Sequence, residues 1–229
     1  MSVDVFKKIK IPERPIPILD SSIPIESYYP IDLSLTNSDL RHVNISNSDV
    51  CQEYITTLLK KQDAKVAFGG YLEQRNLYAN SGRFQGVEAR NIHLGLDFWC
   101  ETGTKVLSPL KGVVHSFANN SDHGDYGPTI ILEHELEDVK FFTLYGHLAL
   151  DSLDGLYLGK KFDKGSVIAR LGAPEINVGY APHLHFQIIL DLGEFLGDYP
   201  GVCSQSDLEY YRNNCPNPNL LLGIETSNR

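Results

Sequence analysis

Five side chains that could bind a metal ion or transfer protons lie in three separate stretches of the chain. They are His93 and Asp97, then His147, then His183 and His185. Imidazole nitrogen and carboxylate oxygen are ligands suited to a zinc ion. One aspartate and four histidines are enough for a metal centre with further groups beside it for acid–base chemistry. That chemistry requires the fold to bring the three stretches together.

The last of these stretches has the pattern of a buried strand. Alternate side chains of an extended chain point to the same face, so His183 and His185 project together. The residues that follow, Phe186–Leu190, are apolar except for Gln187, which predicts a strand running through the interior of a sheet. Two imidazoles are therefore expected to point into one site from this strand.

The first stretch has a spacing that also suits a shared face. His93 and Asp97 are four residues apart, which places them on the same side of either a strand or a helix. Gly95 lies midway between them and has no side chain to obstruct the gap. The hydrophobic residues Leu96, Phe98 and Trp99 favour an extended segment. Two segments are thus expected to present paired groups to one point.

The elements that must position these residues are predicted to be mainly strands. Residues 65–114, 130–148 and 166–190 alternate short apolar runs with glycine and polar breaks, which is typical of antiparallel β architecture. Gly103 and Gly112 predict a hairpin between them. We therefore predict a mainly β fold with minor α content, with an antiparallel sheet or sandwich as its core.

Three regions follow from this pattern. Residues 1–64 are predicted to be an N-terminal extension, residues 65–191 a β-rich domain that carries the candidate site, and residues 192–229 a C-terminal extension packed on the core. Within the N-terminal extension, five prolines in residues 11–31 predict an extended strap that docks on the surface. Residues 50–61 have an apolar stripe and end in two lysines, which predicts a helix.

Composition excludes several classes of partner. The formal net charge is −9 for 229 residues, so a nucleic-acid backbone is an unsuitable ligand. No apolar run is long enough to cross a bilayer. Proline and charged residues follow the early lysines where an apolar signal region would begin, so we expect a cytoplasmic protein or export by a non-standard route. Cys203 and Cys215 are expected to be reduced thiols, although an oxidising compartment would allow a bridge.

The motifs together resemble those of the lysostaphin-type (LytM-type) zinc metalloendopeptidases. Four segments carry the resemblance, and they span about residues 90–191: Ile92–Asp97, Gly103–Val114, Tyr145–Leu148 and Pro182–Phe186. The resemblance implies that His93, Asp97 and His185 bind one Zn²⁺ per chain and that His147 and His183 are the unligated catalytic pair. It also implies the sheet core of that family. Its substrates would be peptide bonds, most plausibly in the stem or cross-bridge peptides of peptidoglycan.

Two other functions are compatible with parts of the sequence. Residues 103–114 also resemble the glucose-type phosphocarrier domain, in which two histidines face one another and one accepts a phosphoryl group. A binding relative of the peptidases without hydrolytic activity is the other alternative. Asp97 favours the peptidase over the carrier, because a phosphocarrier needs no carboxylate ligand.

Four further histidines are interpreted as ordinary surface or core residues: His42, His115, His123 and His134. Tyr126, in a polar loop, is as compatible with substrate contact as with loop packing.

Overall fold

A computed structural model of the chain describes residues 12, 14–75, 89–122, 124–177 and 179–224. The strands in these ranges are β1 (Tyr28–Pro30), β2 (Val66–Gly69), β3 (Ile92–His93), β4 (Leu96–Trp99), β5 (Lys105–Leu107), β6 (Gly112–Asn120), β7 (Gly127–Leu136), β8 (Val139–Gly146), β9 (Lys161–Phe162), β10 (Val167–Arg170), β11 (His183–Ile189) and β12 (Val202–Cys203). The helices are α1 (Ser48–Lys61), α2 (Leu208–Asn214) and α3 (Asn219–Leu222), with 3-10 turns at Ile25–Ser27, Ser38–Leu40 and Leu150–Leu153. The prediction of a mainly β fold with minor α content is confirmed.

One eight-stranded sheet forms the body of the molecule, in the order β1-β2-β4-β11-β8-β7-β6-β9. From β2 to β9 all neighbouring strands run antiparallel. Two smaller sheets pair β10 with β5 and β12 with β3. Strand β11 lies between β4 and β8, and every one of its residues is buried. The strand predicted to carry two histidines is therefore an interior strand of the main sheet.

The edge pair β1 and β2 is parallel, unlike the rest of the main sheet. Parallel neighbours require a crossover connection, and the segment between these two strands contains α1, which supplies it. The predicted N-terminal extension thus contributes a strand to the main sheet. The proposed domain boundaries after residues 64 and 191 stay a prediction.

Helix α1 forms where its sequence predicts it. Asn47 caps the first turn by accepting a hydrogen bond from the backbone N–H of Val50 at 3.0 Å, and two lysines lie in the last turn, where a helix dipole favours positive charge. Cys51 and Ile55 form its buried face. They belong to a hydrophobic cluster that includes Trp99 of β4. The helix therefore packs on β2 and shares its hydrophobic cluster with Trp99 of β4.

The proline-rich strap docks on the body, as predicted. Ile18 and Leu19 are fully buried, and the carbonyl of Ile18 accepts a hydrogen bond from the N–H of Leu107 in β5 at 2.8 Å. The strap ends in edge strand β1, which is compatible with its prolines. In the described part of the chain it contributes no residue to the cavity of the candidate site. Residues 11 and 13 of the predicted strap lie outside the described residues.

The predicted hairpin between Gly103 and Gly112 is wrong. Strand β5 pairs with β10, whereas β6 pairs with β7 and β9, so the two strands belong to different sheets. The turn chemistry is local, but strand pairing depends on distant segments that the local pattern does not reveal. Among the described residues, no helix has both the length and the apolar character needed to cross a bilayer.

Candidate metal centre

Strand β11 brings the three distant stretches of candidate residues together. Its register places His185 opposite Asp97 of β4 on one side and opposite Gly146, the last residue of β8, on the other. His147 follows β8 directly, and His183 lies two residues before His185 on the same strand. The position of β11 between β4 and β8 therefore places these four candidate residues around one point.

His93, Asp97 and His185 form a buried cluster in which each residue directs one ligand atom towards the other two. His93 Nε2 lies 2.9 Å from His185 Nδ1. Asp97 Oδ1 lies 3.2 Å from the first of these nitrogens and 3.1 Å from the second. Ligand atoms about 2.0–2.2 Å from a tetrahedral zinc ion are roughly 3.3 Å from one another. The triangle thus has nearly the size of three corners of such a coordination sphere.

The outer nitrogens of the two cluster histidines have partners that fix their tautomers. His93 Nδ1 lies 2.9 Å from the carbonyl oxygen of Gly70, and His185 Nε2 lies 2.9 Å from Oε1 of Gln187. The amide nitrogen of Gln187 donates to the carbonyl of Pro200 at 3.1 Å, which fixes its orientation. Both partner oxygens can only accept, so the outer nitrogens carry the protons.

The inner nitrogens therefore present lone pairs to one another and to the carboxylate oxygen of Asp97. Three acceptors about 3 Å apart, with no proton among them, repel one another unless a cation lies between them. Ligand histidines whose other nitrogen donates to an oxygen acceptor are the usual arrangement around protein-bound metals. The chemistry of this donor set thus fits a metal ion.

His147 and His183 form a second pair beside the cluster, with ring centroids 4.1 Å apart. His183 donates from Nδ1 to the carbonyl of Ala181 at 2.7 Å, which leaves Nε2 as an acceptor, and its ring stacks on Trp99. His147 has a φ of 61°, a left-handed conformation that is uncommon for non-glycine residues. Its Nδ1 is buried and has no hydrogen-bond partner among the described residues. The pair therefore offers one free lone pair and one unpaired ring nitrogen.

Burial sets the protonation state of these groups. Burial lowers the pKa of His93 to about 4, and it also lowers the pKa of His183. Burial and the neighbouring His183 hold the pKa of His147 well below its ordinary value. Burial alone would raise the pKa of Asp97, but His93 and then Arg75 hold it well below the usual range. At neutral pH His93, His147 and His183 are therefore neutral imidazoles beside the ionised carboxylate of Asp97, and deprotonated groups of this kind bind metals.

A cavity of about 460 Å³ opens at the cluster. Its walls include Ile45 and Cys51 from the N-terminal part of the chain and Tyr199 from the C-terminal part. Tyr126 also lines it, with its ring 5.0 Å from that of His185 and its hydroxyl 3.5 Å from the Nε2 of that residue. The loop tyrosine that the sequence singled out therefore lies at the site.

Arg75 is a residue of the site to which the sequence pattern assigned no role. Its Nη1 donates to Asp97 Oδ2 at 2.5 Å, and both side chains are buried. The two residues are 22 positions apart and belong to no common motif. The nearest sequence signal is a charged residue shortly after a strand-like run, which is too common to identify a site.

Two of the remaining histidines have the ordinary roles expected of them. His134 is buried, with Nδ1 2.9 Å from the carbonyl of Lys111 and Nε2 2.7 Å from the hydroxyl of Thr143. His42 is exposed. His123 lies outside the described residues.

Comparison with known proteins identifies the part of the chain that holds the site. Residues 91–194 match the family model of peptidase family M23. This part of the chain is therefore similar to peptidase family M23. The matched residues include all five candidate residues, and the match confirms the resemblance to lysostaphin-type peptidases. Arg75 and Gly70 lie before the matched residues.

Individual relatives are more distant. An uncharacterized metalloprotease of Haemophilus influenzae is 34% identical over 95 residues, which cover 42% of this chain and 18% of that protein. The chain therefore spans less than a fifth of the length of this curated relative. The catalytic domain of lysostaphin from Staphylococcus simulans is 21% identical with a TM-score of 0.36, covering 53% of this chain and 80% of that one. A zinc-containing peptidase from Vibrio cholerae is 29% identical with a TM-score of 0.36, and the match covers 48% of this chain and 31% of that one.

Proposed function

We propose that the protein is a zinc-dependent endopeptidase, with His93, Asp97 and His185 as the ligands of one Zn²⁺ per chain. The observation that carries the proposal is the convergence of three lone-pair acceptors on one point within the residues that match peptidase family M23. The tautomers imposed by Gly70 and Gln187 leave the inner nitrogens free to bind the ion. Two nitrogen ligands and one oxygen ligand suit zinc, and three protein ligands leave a position for water or substrate.

We assign proton transfer to the two remaining histidines. Zinc supplies Lewis acidity, which activates water as a nucleophile near neutral pH and polarises the scissile carbonyl. His183 Nε2 is free to accept a proton because Nδ1 is held by Ala181. His147 has an unpaired Nδ1 and can donate a hydrogen bond to the developing charge or to the leaving amine. We assign His183 as the base and His147 as the hydrogen-bond donor.

The substrate we propose is a peptide bond in peptidoglycan stem or cross-bridge peptides. The support for this class is the resemblance of the four motif segments to lysostaphin-type peptidases. The cavity beside the cluster gives the chain of such a peptide access to the site. The walls formed by residues before 91 and after 194 lie outside the M23 match, so the choice of peptide is expected to depend on them.

Metal content separates the proposed roles of the residues. The wild-type chain, stripped and reconstituted, should hold about one zinc by elemental analysis. Asp97→Ala should lose the metal, because it removes a ligand. His183→Ala should keep most of the metal and lose hydrolysis, because we assign that residue to proton transfer and not to the ligand set. Equal loss of zinc in both variants would show that the division into ligands and catalytic pair is wrong.

Substrate class is tested by product analysis. The protein is incubated with purified peptidoglycan and with short peptides that contain glycine or D-alanine, and the products are mapped by mass spectrometry. Cleavage of an amide bond that depends on His183 is the expected result. Binding without cleavage would indicate a non-hydrolytic module, and a phosphorylated histidine after incubation with a phosphoryl donor would indicate the carrier function.

A further inference from the structure

The segment Gly69–Arg75 contacts two of the three proposed ligands from outside the M23 match. The carbonyl of Gly70 accepts the hydrogen bond from His93, as described above. Arg75 reaches Asp97 from the same segment. The backbone pairs with the strand region of the site, since His93 N–H donates to the carbonyl of Glu73 at 3.0 Å. The segment is therefore fixed to the proposed metal centre by both its backbone and its side chains.

Arg75 binds one oxygen of the Asp97 carboxylate and leaves the other to the cluster. Nη1 donates to Oδ2, whereas Oδ1 is the oxygen that faces His93 and His185. The guanidinium thus does not occupy the point between the three ligand atoms. Its side chain is fully buried, and its Cζ lies 5.4 Å from the centre of the Trp99 ring. A carboxylate held in this way has its plane and its free oxygen fixed before any ion arrives.

The other end of Arg75 is held by Glu73. Arg75 Nε donates to Glu73 Oε2, and Glu73 Oε1 accepts a hydrogen bond from the backbone N–H of Leu33 at 3.0 Å. Leu33 is fully buried and belongs to the N-terminal part of the chain. A continuous series of hydrogen bonds therefore runs from the N-terminal region through Glu73 and Arg75 to Asp97.

We propose that Arg75 is a positioning residue of the metal centre, which holds Oδ2 of Asp97 so that Oδ1 is aimed at the ion, and that Glu73 anchors this brace to the N-terminal region at Leu33. The inference rests on the proposed function, because it requires Asp97 to be a metal ligand. Hydrogen-bond partners of ligating carboxylates and histidines commonly increase metal affinity about 10- to 100-fold. The same effect is expected here for a partner that lies outside the M23 match.

Two effects of Arg75 on a bound cation oppose each other, and this makes the inference testable. The positive guanidinium repels a nearby divalent ion, which weakens metal binding. Its planar set of N–H donors fixes the orientation of the Asp97 carboxylate, which favours metal binding. If Arg75 only neutralised the buried carboxylate of Asp97, the chain with Arg75 would bind zinc no more tightly than a chain without it. A positioning residue raises the affinity despite its charge. The sign of the change on removal therefore distinguishes the two roles.

The experiment measures zinc affinity by competition with a chelator in the full-length chain. Arg75→Met keeps the length of the side chain but removes charge and donors, and it should weaken zinc binding about 10- to 100-fold. Arg75→Lys keeps the charge without the fork and should recover part of the loss. Glu73→Gln should weaken binding less than Arg75→Met. Lys105→Met breaks a partly exposed lysine–carboxylate pair with Asp20, away from the site, and serves as the matched control with wild-type affinity.

Folding and coordination are followed separately from affinity. Circular dichroism of the metal-free variants reports folding, and the visible spectrum of the cobalt-substituted protein reports the geometry of the ligands. If Arg75→Met does not fold, Arg75→Lys decides the outcome, because loss of the planar fork alone must then weaken zinc binding relative to wild type. Wild-type affinity in the folded Arg75 variants, or tighter binding, would overturn the inference. A wild-type chain that binds no zinc would instead refute the proposed function and the inference with it.

Discussion

Substitution of Gly95 by alanine should weaken the metal centre in addition to lowering the stability of the fold. Gly95 lies between the two proposed ligands His93 and Asp97. A Cβ at this position would lie 2.7 Å from the carbonyl oxygen of Phe186 and 2.8 Å from both Cε1 and Nε2 of His185. Non-bonded heavy atoms at their best separation are about 3.5–4.0 Å apart, so something must move by roughly 0.7 Å.

The displacement should fall on a ligand, because Phe186 is held in an interior strand. Its neighbours β4 and β8 pair with β11 on both sides. The ring of His185 or the segment of Gly95 must therefore shift, and a metal site tolerates errors of only about 0.2 Å in its ligand distances. We expect zinc affinity to fall at least tenfold, or about 1.4 kcal/mol. Overpacking of this kind costs about 1–3 kcal/mol of folding stability.

Gly103→Ala is the matched control for this prediction. Gly103 has a φ of 80°, and an added Cβ would meet nothing within 4 Å. The substitution therefore introduces backbone strain of about 1–2 kcal/mol without a clash at the site. Urea unfolding of the metal-free proteins gives the stability of each variant, and chelator competition gives its zinc affinity. Wild-type zinc affinity in Gly95→Ala, or an equal loss in Gly103→Ala, would refute the reasoning.

Two further substitutions test contacts around and away from the site. Gln187→Leu removes the acceptor that fixes the tautomer of His185 and should weaken zinc binding about 10- to 100-fold. Gln187→Glu keeps an acceptor and should bind zinc more tightly than Gln187→Leu. Equal zinc affinities of the two variants would contradict the tautomer assignment. His134→Gln tests pH dependence. Burial lowers the pKa of His134 in the folded state, so protons favour the unfolded chain and stability falls as pH drops below about 6.5. In metal-free urea titrations the variant should lose less stability than wild type over that range, and identical slopes would rule out this contribution of His134.

The groups that could bind a metal were predictable because their signals are local. The alternation of His183 and His185 follows from the geometry of a single strand, and the four-residue spacing of His93 and Asp97 needs only a short extended segment. Helix α1 was predictable for the same reason, since its cap and its apolar stripe lie within a few turns. Patterns of this length are determined by side chains that are neighbours in sequence.

Pairings between distant segments were not predictable in the same way. The parallel edge strand β1 joins β2 only through a crossover that contains α1, and β5 pairs with β10 about 60 residues later rather than with its neighbour in sequence. A turn-forming glycine marks where the chain bends but not which strand it then meets. Tyr126 shows the intermediate case, because loop composition indicated a cleft wall while only the fold shows how close its ring lies to His185.

The proposed ligands and the contacts that orient them therefore come from different parts of this chain. Each proposed ligand belongs to a short sequence motif, but the groups that orient it lie outside that motif. The backbone carbonyl of Gly70 accepts from His93, and Arg75, which also donates to Glu73, binds the carboxylate of Asp97. A carbonyl has no residue signature, and a single arginine has no periodicity. Two chains with the same M23 motifs can therefore differ in metal affinity if they differ before the motif begins. The segment before the M23 match should thus determine the orientation of the proposed ligands and hence the zinc affinity, whereas the motifs determine which residue types are available as ligands.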